Sequence, residues 1–326
     1  SAGAQNTILS SDKAGTSTNV NAREINALPT VSRGIQDFTK LTPQASGFSF
    51  AGRDNRMNNF TVDGAGFNNN FGLSSDLPGG KAQPISLDAI EEISVNIAPY
   101  DIRQTRFTGA AINAVTKSGT NRFSASAYTY QRFKSMTGNT VDGNEVQGAN
   151  ETNNQTYGFR VGGPLIKNKL FFFVNGEFTE GTSPALDWVA ARPGASGNIS
   201  RTTYADLLDL KNFMMQKLNY DLGEIDGYNN ESYSRKYLAR LDWNINDNHK
   251  LTLRYSHHNS ESDQIVSNSN SSNTAGNGNR QNRINAISGQ NTGYGIMDNT
   301  RSYVAELNSK ISDKVDADHI KNRGVD

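Results

Sequence analysis

The chain has 326 residues, of which 32 are basic and 32 acidic, so its formal net charge is +0. This balance argues against a nucleic-acid-binding protein, which carries a basic excess. The absence of cysteine excludes disulfides, thiolate metal sites and thiol catalysis. No apolar run approaches about 18 residues, so a membrane protein built of helices is also excluded, whereas a strand-built one tolerates polar loops and alternation.

The first segments predict a linker followed by two short helices. Residues 1–22 are small and polar and are expected to form a linker or an exposed edge. Asn21 is placed to cap a helix that ends at Pro29. One face of a second helix is predicted by three apolar residues at helical spacing, namely Ile35, Phe38 and Leu41.

Strands are predicted to follow these helices. "FTVDGAG" is typical of a strand entering an Asp-Gly turn. "ISLDAIEEISVNIAP" predicts a short helix and then a strand, and "GAAINAVTKSG" predicts another strand. Residues up to 121 are therefore expected to fold as a compact α+β unit.

Amphipathic strands dominate after residue 121, and the hairpin predicted over residues 157–178 is the most informative. In its second strand one face is wholly apolar: Leu170, Phe172, Val174 and Phe178. The other face carries Phe171, Phe173, Asn175 and Glu177. Such a strand suits lipid on one side and a polar interior on the other. An antiparallel hairpin of a soluble β-protein has the same pattern, so the segment alone leaves both open.

The lengths of the connections favour a barrel. Long loops are predicted over residues 134–155, 179–234 and 259–299, and short turns at 166–169, 246–248 and 312–314. Outer-membrane barrels alternate long extracellular loops with short periplasmic turns. A soluble sandwich has no reason to keep every long loop at one end.

Several of these segments together resemble the TonB-dependent outer-membrane receptors, specifically the Oar-like type of Bacteroidetes and relatives, which carries an upstream carboxypeptidase-regulatory-like domain. The resemblance rests on "LPTVSRGIQDFTKLTPQ", "AGRDNRMNNFTVDGAGFNNNFGL", "ISLDAIEEISVNIAPYDIRQTRFTGAAINAVTKSGTNRF", "YGFRVGGPLIKNKLFFFVNGEF" and "YLARLDWNINDNHKLTLRYSH". It covers nearly all of residues 22–310.

The resemblance implies an α+β plug domain followed by antiparallel transmembrane β-barrel strands. Residues 1–22 would be a linker, 23–121 the plug, and 122–326 the N-terminal part of a 22-stranded barrel. The six or seven strands expected here cannot close such a barrel, and the tail from residue 313 departs from the family's pattern. We therefore expect a fragment or a truncated product, in the outer membrane of a Gram-negative bacterium.

Neither a catalytic constellation nor a cofactor or metal site is predicted. His257 and His258 are neighbours in a strand, so they point to opposite faces and cannot share a metal there. The Gly64–Gly66 pair lacks the third glycine of a dinucleotide site and is interpreted as a turn.

Two groups of residues carry functional hypotheses. Plug–barrel ion pairs are predicted among Arg53, Arg56, Arg106, Glu177 and Asp242, since a plug in a wet lumen needs polar docking; the alternative is solvated surface charge. Ligand binding is predicted for the amide loop Phe67, Asn68, Asn69, Asn70 and Phe71, because amides and aromatics suit a polar or peptide-like ligand; the alternative is a packing loop.

The predicted function is uptake of an unidentified ligand, such as a peptide, protein or glycan, through a plugged barrel. The partners that the resemblance implies are the TonB/ExbB/ExbD energy-coupling complex and outer-membrane lipid. No enzyme activity, cofactor or nucleic acid is expected. A non-transporting adhesion or structural protein on the same barrel is the first alternative, and a soluble β-rich binding protein the second.

Overall fold

The structure is a computed structural model of the 326-residue chain. It describes residues 16–28, 33–46, 49–53, 57–68, 84–97, 109–136, 140–141, 144–145, 152–186, 188–265, 284, 286–312 and 315–325. Among these residues, none of the helices is long and apolar enough to cross a bilayer.

The N-terminal part contains two short helices and a sheet of five strands, the N-terminal sheet, in the order β1-β6-β7-β4-β5. The helices are α1 (Ala22–Ala27) and α2 (Ile35–Thr39). The strands, including a separate two-stranded ribbon of β2 and β3, are β1 (Thr16–Asn21), β2 (Ala45–Ser46), β3 (Ser49–Phe50), β4 (Asn59–Val62), β5 (Ala65–Gly66), β6 (Ile90–Ile97) and β7 (Ala110–Thr116).

Local sequence signals account for most of this part. Asn21 caps α1 in a capping box with Glu24, as predicted. The Asp63-Gly64 turn between β4 and β5 has positive φ at both residues, 44° and 78°, which is the conformation an Asp-Gly hairpin turn requires.

One prediction for this part was wrong, that Leu41 lies on the face of the second helix. The segment predicted to be a linker or an exposed edge ends in strand β1, which lies at the edge of the N-terminal sheet, pairs along its whole length with β6 and buries Val20. Its other residues are polar, so the strand is held by backbone pairing and gives no apolar alternation. Leu41 is 48% exposed, because α2 ends at Thr39 and Leu41 lies beyond the helical face.

The C-terminal part is dominated by one antiparallel sheet of seven strands, the large sheet, in the order β8-β11-β12-β15-β16-β17-β18. Its strands are β8 (Ser124–Arg132), β11 (Asn153–Ile166), β12 (Leu170–Pro184), β15 (Asn229–Asn246), β16 (His249–Gln264), β17 (Tyr294–Ser312) and β18 (Val315–Val325). The strands are neighbours in the sheet in the same order in which they follow one another in the chain. Short turns join β11 to β12, β15 to β16 and β17 to β18.

The strands are longer than the sequence predicted. β12 continues to Pro184 and β15 begins at Asn229, inside the predicted loop 179–234. β16 likewise runs to Gln264 and β17 starts at Tyr294, inside the predicted loop 259–299. The extensions of β12, β15 and β16 are mostly polar on both faces, and that of β17 carries Tyr294, Ile296 and Met297 without strict alternation. The alternation therefore ends although the backbone ladder continues.

The two faces of the large sheet differ as the hairpin predicted. On the inner face of β12, Phe173, Asn175 and Glu177 are each no more than 5% exposed and face the N-terminal part. On the outer face Val174 is 36% exposed. Phe159 of β11 lies directly opposite Gly176, where an added Cβ would meet the Phe159 ring at 2.6 Å.

The connections at one end of the large sheet contain further elements. These are β9 (Thr140–Val141), β10 (Asn144–Glu145), β13 (Trp188–Ala191), β14 (Asn198–Thr203) and the helix α3 (Tyr204–Leu218). The segment between β12 and β15 binds the segment before β17, through Gln290 N to Glu224 O at 2.8 Å and Tyr228 Oη to Ser288 O at 3.0 Å. The two loops therefore interlock.

Candidate functional site

The candidate site is the interface between the N-terminal part and the inner face of the large sheet. Phe173, Leu238 and Val304, from three strands of the large sheet, belong to the same buried apolar cluster as the core of the N-terminal part. The two parts therefore share apolar contacts. Clusters of polar side chains lie at the same interface.

The first polar cluster surrounds Glu177. Lys236, its cross-strand neighbour on β15, donates to Oε1 at 2.8 Å, and the two side chains are 10% and 7% exposed. Ser86 of the N-terminal part donates to Oε2 at 2.7 Å. Tyr128 of β8 donates to the same oxygen at 2.9 Å. The carboxylate thus joins three strands of the large sheet to the N-terminal part.

The second polar cluster surrounds Asp63, at the turn after β4. Its Oδ1 accepts the Thr116 N–H at 2.8 Å, and its Oδ2 accepts the Thr116 hydroxyl at 2.6 Å. Arg254 of β16 donates Nη1 to the same Oδ2 at 2.6 Å. The Arg254 side chain is only 1% exposed, and among the described residues its Nε and Nη2 have no hydrogen-bond partner. Within that part of the chain, Asp63 is the residue that accepts a hydrogen bond from the buried guanidinium.

Arg240 extends this cluster along the large sheet. It forms a two-pronged pair with Asp242, Nε to Oδ2 at 2.9 Å and Nη2 to Oδ1 at 3.0 Å. Its Nη1 donates to the carbonyl oxygen of Thr116 at 2.8 Å. Thr252 donates to Asp242 at 2.9 Å. Asp242 therefore orients the guanidinium that binds the end of β7.

A third contact involves the segment before α2. Arg33 pairs with Asp88 inside the N-terminal part, and its guanidinium lies 3.8 Å from the ring centroid of Tyr130 on β8. Nearby, Lys117 donates to the carbonyl oxygen of Asp88 at 3.1 Å. Burial, and then the charge of Arg160, lower the pKa of Lys117 from its ordinary value.

The connecting segment itself lies against the large sheet. An added Cβ on Gly119 would meet the Phe172 carbonyl oxygen at 2.3 Å and the Gly163 carbonyl oxygen at 2.9 Å. Asn121 of this segment pairs with Asn168, which lies in the turn between β11 and β12. Asn121 Nδ2 donates to Asn168 Oδ1 at 2.6 Å, and the Asn168 N–H donates to Asn121 Oδ1 at 2.8 Å. Gly119 therefore permits a close contact with the backbone of the large sheet that a side chain would prevent.

The structure brings together only some of the residues predicted to join the two parts. Glu177 contacts the N-terminal part through Ser86, and Asp242 acts through Arg240. Arg53 is exposed, and no ion pair involves it within the described ranges. Arg56 and Arg106 lie outside the described residues.

The predicted ligand loop is described only at its start. Phe67 is 4% exposed and belongs to the apolar core, and Asn68 accepts the Phe60 N–H at 2.7 Å and donates to Asn59. These two residues therefore support the fold of β4 and β5. Asn69, Asn70 and Phe71 lie outside the described residues.

Sequence reasoning missed the residues that connect the two parts most directly: Asp63, Ser86, Thr116, Lys236, Arg240 and Arg254. The last three lie in the region after residue 121 where amphipathic strands were predicted. The alternation of polar and apolar residues along those strands was the available signal. Their partners lie far along the chain, up to 191 residues away for Arg254 and Asp63.

The arrangement suits reversible docking between two surfaces. In the described part of the chain no group of three potential ligands could hold a metal ion. His258 is buried and contacts Ser234, while His257 stacks on Tyr237 on the opposite face. The contacts are apolar packing, hydrogen bonds and ion pairs, which separate and re-form without covalent chemistry.

Comparison with known proteins is consistent with this architecture. Residues 115–295 match the family described as "Outer membrane beta barrel domain". The chain is 26% identical over 242 residues to the "TonB-dependent transporter Oar" of Myxococcus xanthus. That match covers 68% of this chain but 20% of the relative, so the chain spans about a fifth of its length.

Solved structures share the fold. The outer membrane transporter YddB from Escherichia coli superposes with a TM-score of 0.56 at 11% identity, covering 91% of this chain and 37% of that one. A ferric enterobactin receptor (PfeA) mutant from Pseudomonas aeruginosa gives 0.55 at 14% identity, covering 93% and 39%. These relatives are transporters and receptors. The chain belongs to the outer membrane beta barrel domain family and is a protein of the Gram-negative outer membrane.

Proposed function

We propose that this chain is the N-terminal part of a TonB-dependent outer-membrane receptor. In this proposal residues 23–121 are the plug, and residues 122–326 are the first strands of a 22-stranded wall. The observation that carries it is the docking of the N-terminal part onto the inner face of the large sheet, through Glu177 with Ser86 and Arg254 with Asp63. A sheet whose inner face covers a folded unit suits a plugged barrel.

The proposed mechanism is gated passage without chemistry. A ligand is captured at the end of the long loops, and the TonB/ExbB/ExbD complex then pulls the plug from the periplasm. Strand β1 lies at an edge of the N-terminal sheet and, in the part of the chain that the structure describes, pairs with β6 alone. A pull from the N-terminal side would separate these strands before the buried centre, since an edge strand has one ladder of hydrogen bonds to break.

The ligand is proposed to be a peptide, protein or glycan. The residues proposed to contact it are Asn69, Asn70 and Phe71, since Phe67 and Asn68 have structural partners. Amides satisfy the backbone groups or hydroxyls of such ligands.

A single engineered cysteine tests the mechanism without knowledge of the ligand, because the chain has no native cysteine. Ser86→Cys lies at the interface and is 1% exposed in the structure. In growing cells, a membrane-impermeant maleimide should label it faster when the proton gradient is present. Ser196→Cys, at an exposed position in the long connection between β12 and β15, is the matched control and should label equally in both states.

A non-transporting adhesion protein is the second candidate, and the interlocked loops favour it. Helix α3 exposes Leu208, Phe213 and Met215, each more than 40%. Equal labelling of Ser86→Cys with and without the proton gradient would support adhesion and contradict transport.

A further inference from the structure

The outer face of the large sheet has an apolar band with a defined border. Successive rows of cross-strand neighbours begin beside the short turns with Leu170, Trp243, Leu251 and Leu307, and continue with Phe172, Leu241, Leu253 and Ala305. The third row is Val174, Ala239, Tyr255 and Tyr303. Because rows on one face repeat about every 6.8 Å, these three rows span roughly 14 Å, which lies within the apolar band of about 25 Å in outer-membrane barrels.

The band ends in a basic, amide-rich border at the side of the long loops. We name these outward-facing residues the basic border: Arg235, His257, Asn259, Asn299 and Arg301. His257 lies opposite Arg301, and Arg235 lies opposite Asn259. His257 Nε2 is 2.9 Å from Asn299 Oδ1, which joins two members of the border.

A groove lies directly below the basic border, within the apolar band. It has a volume of about 450 Å³, and its outward-facing lining is Ala239, Leu241, Leu253, Tyr255, Tyr303 and Ala305. The two alanines leave a depression between leucine and tyrosine side chains. Tyr255 and Tyr303 pack together on the side of the groove that faces the basic border, with 5.0 Å between their ring centroids. A second depression, of about 320 Å³, lies beside Arg235.

The arginines of the border are available for an anion. In the described ranges neither Arg235 nor Arg301 forms an ion pair, and both side chains are exposed. The carboxylates on this face lie one row further from the band, at Glu180 and Glu261, and Tyr233 donates to Glu261 at 2.8 Å. Glu180 lines the same depression as Arg235, whose guanidinium lies 5.4 Å from the ring centroid of Tyr233. Among the described residues, the two rows that hold the border contain Arg235 and Arg301 and no carboxylate.

We propose that the groove and the basic border together bind a phosphorylated lipid of the outer leaflet. One acyl chain lies in the groove, and the phosphate accepts hydrogen bonds from Arg235 and Arg301, whose guanidinium groups match phosphate oxygens. The proposal rests on the proposed function for its orientation, with the long loops outside the cell. A free phosphate ion would use the border alone, whereas a lipid uses both features.

The test compares lipid retention by purified protein in nanodiscs of phosphatidylcholine with and without added lipid A, with mass spectrometry measuring the lipid A retained. Arg235→Gln combined with Arg301→Gln should weaken retention about 30-fold, since each basic side chain near an anionic surface contributes roughly a factor of five. Lys167→Gln combined with Lys169→Gln, at the opposite end, removes the same charge and should leave retention unchanged.

A second variant distinguishes binding of a lipid from binding of a free phosphate ion. Ala239→Phe fills the groove, so it should lower lipid A retention while leaving competition by inorganic phosphate at the border unchanged. Arg235→Lys combined with Arg301→Lys preserves charge and should retain most of the lipid. Heat-modifiable migration on gels checks that each variant is folded.

The results that would overturn the lipid site differ from those that would overturn the transport proposal. Unchanged retention in the Arg→Gln pair, or an equal loss in the Lys→Gln pair, would overturn the lipid site even if Ser86→Cys labelling follows the proton gradient. Retention that depends on the arginines but labelling that ignores the gradient would overturn transport and support the lipid site.

Discussion

Arg254 and Asp63 meet through an Nη1–Oδ2 hydrogen bond of 2.6 Å, although they are 191 positions apart in the chain. The contact joins the fifth strand of the large sheet to the turn after β4. Within the described ranges it is the hydrogen bond that the buried guanidinium makes, so a charged pair lies where the two parts meet.

Replacing Asp63 should therefore weaken the docking of the two parts. Asp63→Asn removes the carboxylate that forms an ion pair with the buried Arg254, and removing one partner of a buried pair costs about 3 kcal/mol or more. We expect a lower midpoint of chemical unfolding for the N-terminal part, measured by its accessibility to protease.

A double-mutant cycle isolates the pair. Arg254→Met removes the charge together with its need for a partner, so adding it to Asp63→Asn should recover part of the lost stability. Additive losses in the double variant would show that the two side chains contribute independently.

Glu177→Ala should loosen the interface in a second place. The change removes the acceptor shared by Lys236, Ser86 and Tyr128 and leaves Lys236 buried without a counter-charge. We expect cells to become more permeable to a large hydrophilic antibiotic, measured by its inhibitory concentration. Glu261→Ala, on the outer face, is the control, and equal permeability in the two variants would contradict a role in docking.

Gly119→Ala should disturb the connection between the two parts. Its Cβ would meet backbone oxygens of Phe172 and Gly163, which cannot move as a side chain can. Overpacking of this kind costs roughly 1–3 kcal/mol, and thermal unfolding should show it. Gly66→Ala, whose Cβ would have its nearest neighbour at 3.9 Å, should change stability little.

The interlocked loops should loosen at high pH. Burial raises the pKa of Tyr228 from 10.0 to about 12. Because the folded state holds the neutral phenol, its contribution is complete below pH 10 and is lost as pH rises through about 12. An ultraviolet titration of tyrosinate, combined with proteolysis of residues 185–228, would follow this loss. Tyr228→Phe should remove the pH dependence and, by losing the bond to Ser288, cost about 1 kcal/mol.

Local sequence pattern was enough to predict the elements that depend only on neighbouring residues. The capping of α1 by Asn21 and the turn at Asp63 follow from neighbouring residues alone. The two faces of β12 follow from alternation, because a slip by one residue would reverse them.

The candidate site was harder to predict, because it depends on contacts between distant segments. The sequence suggested Arg53, Arg56 and Arg106 as partners for carboxylates of the strands, whereas the described contacts reverse that arrangement at Asp63 and Arg254. Ser86 carried no pattern at all, and only the fold places its hydroxyl beside Glu177.

The ring of Phe159 over Gly176 has a consequence for how the hairpin forms. A misaligned pairing of β11 with β12 by two residues would place the ring opposite Val174 or Phe178. In either alignment the ring would lie opposite a side chain and would lose the space that Gly176 leaves for it. We therefore expect the pair of Phe159 and Gly176 to favour one alignment of β11 with β12 over its neighbours two residues away.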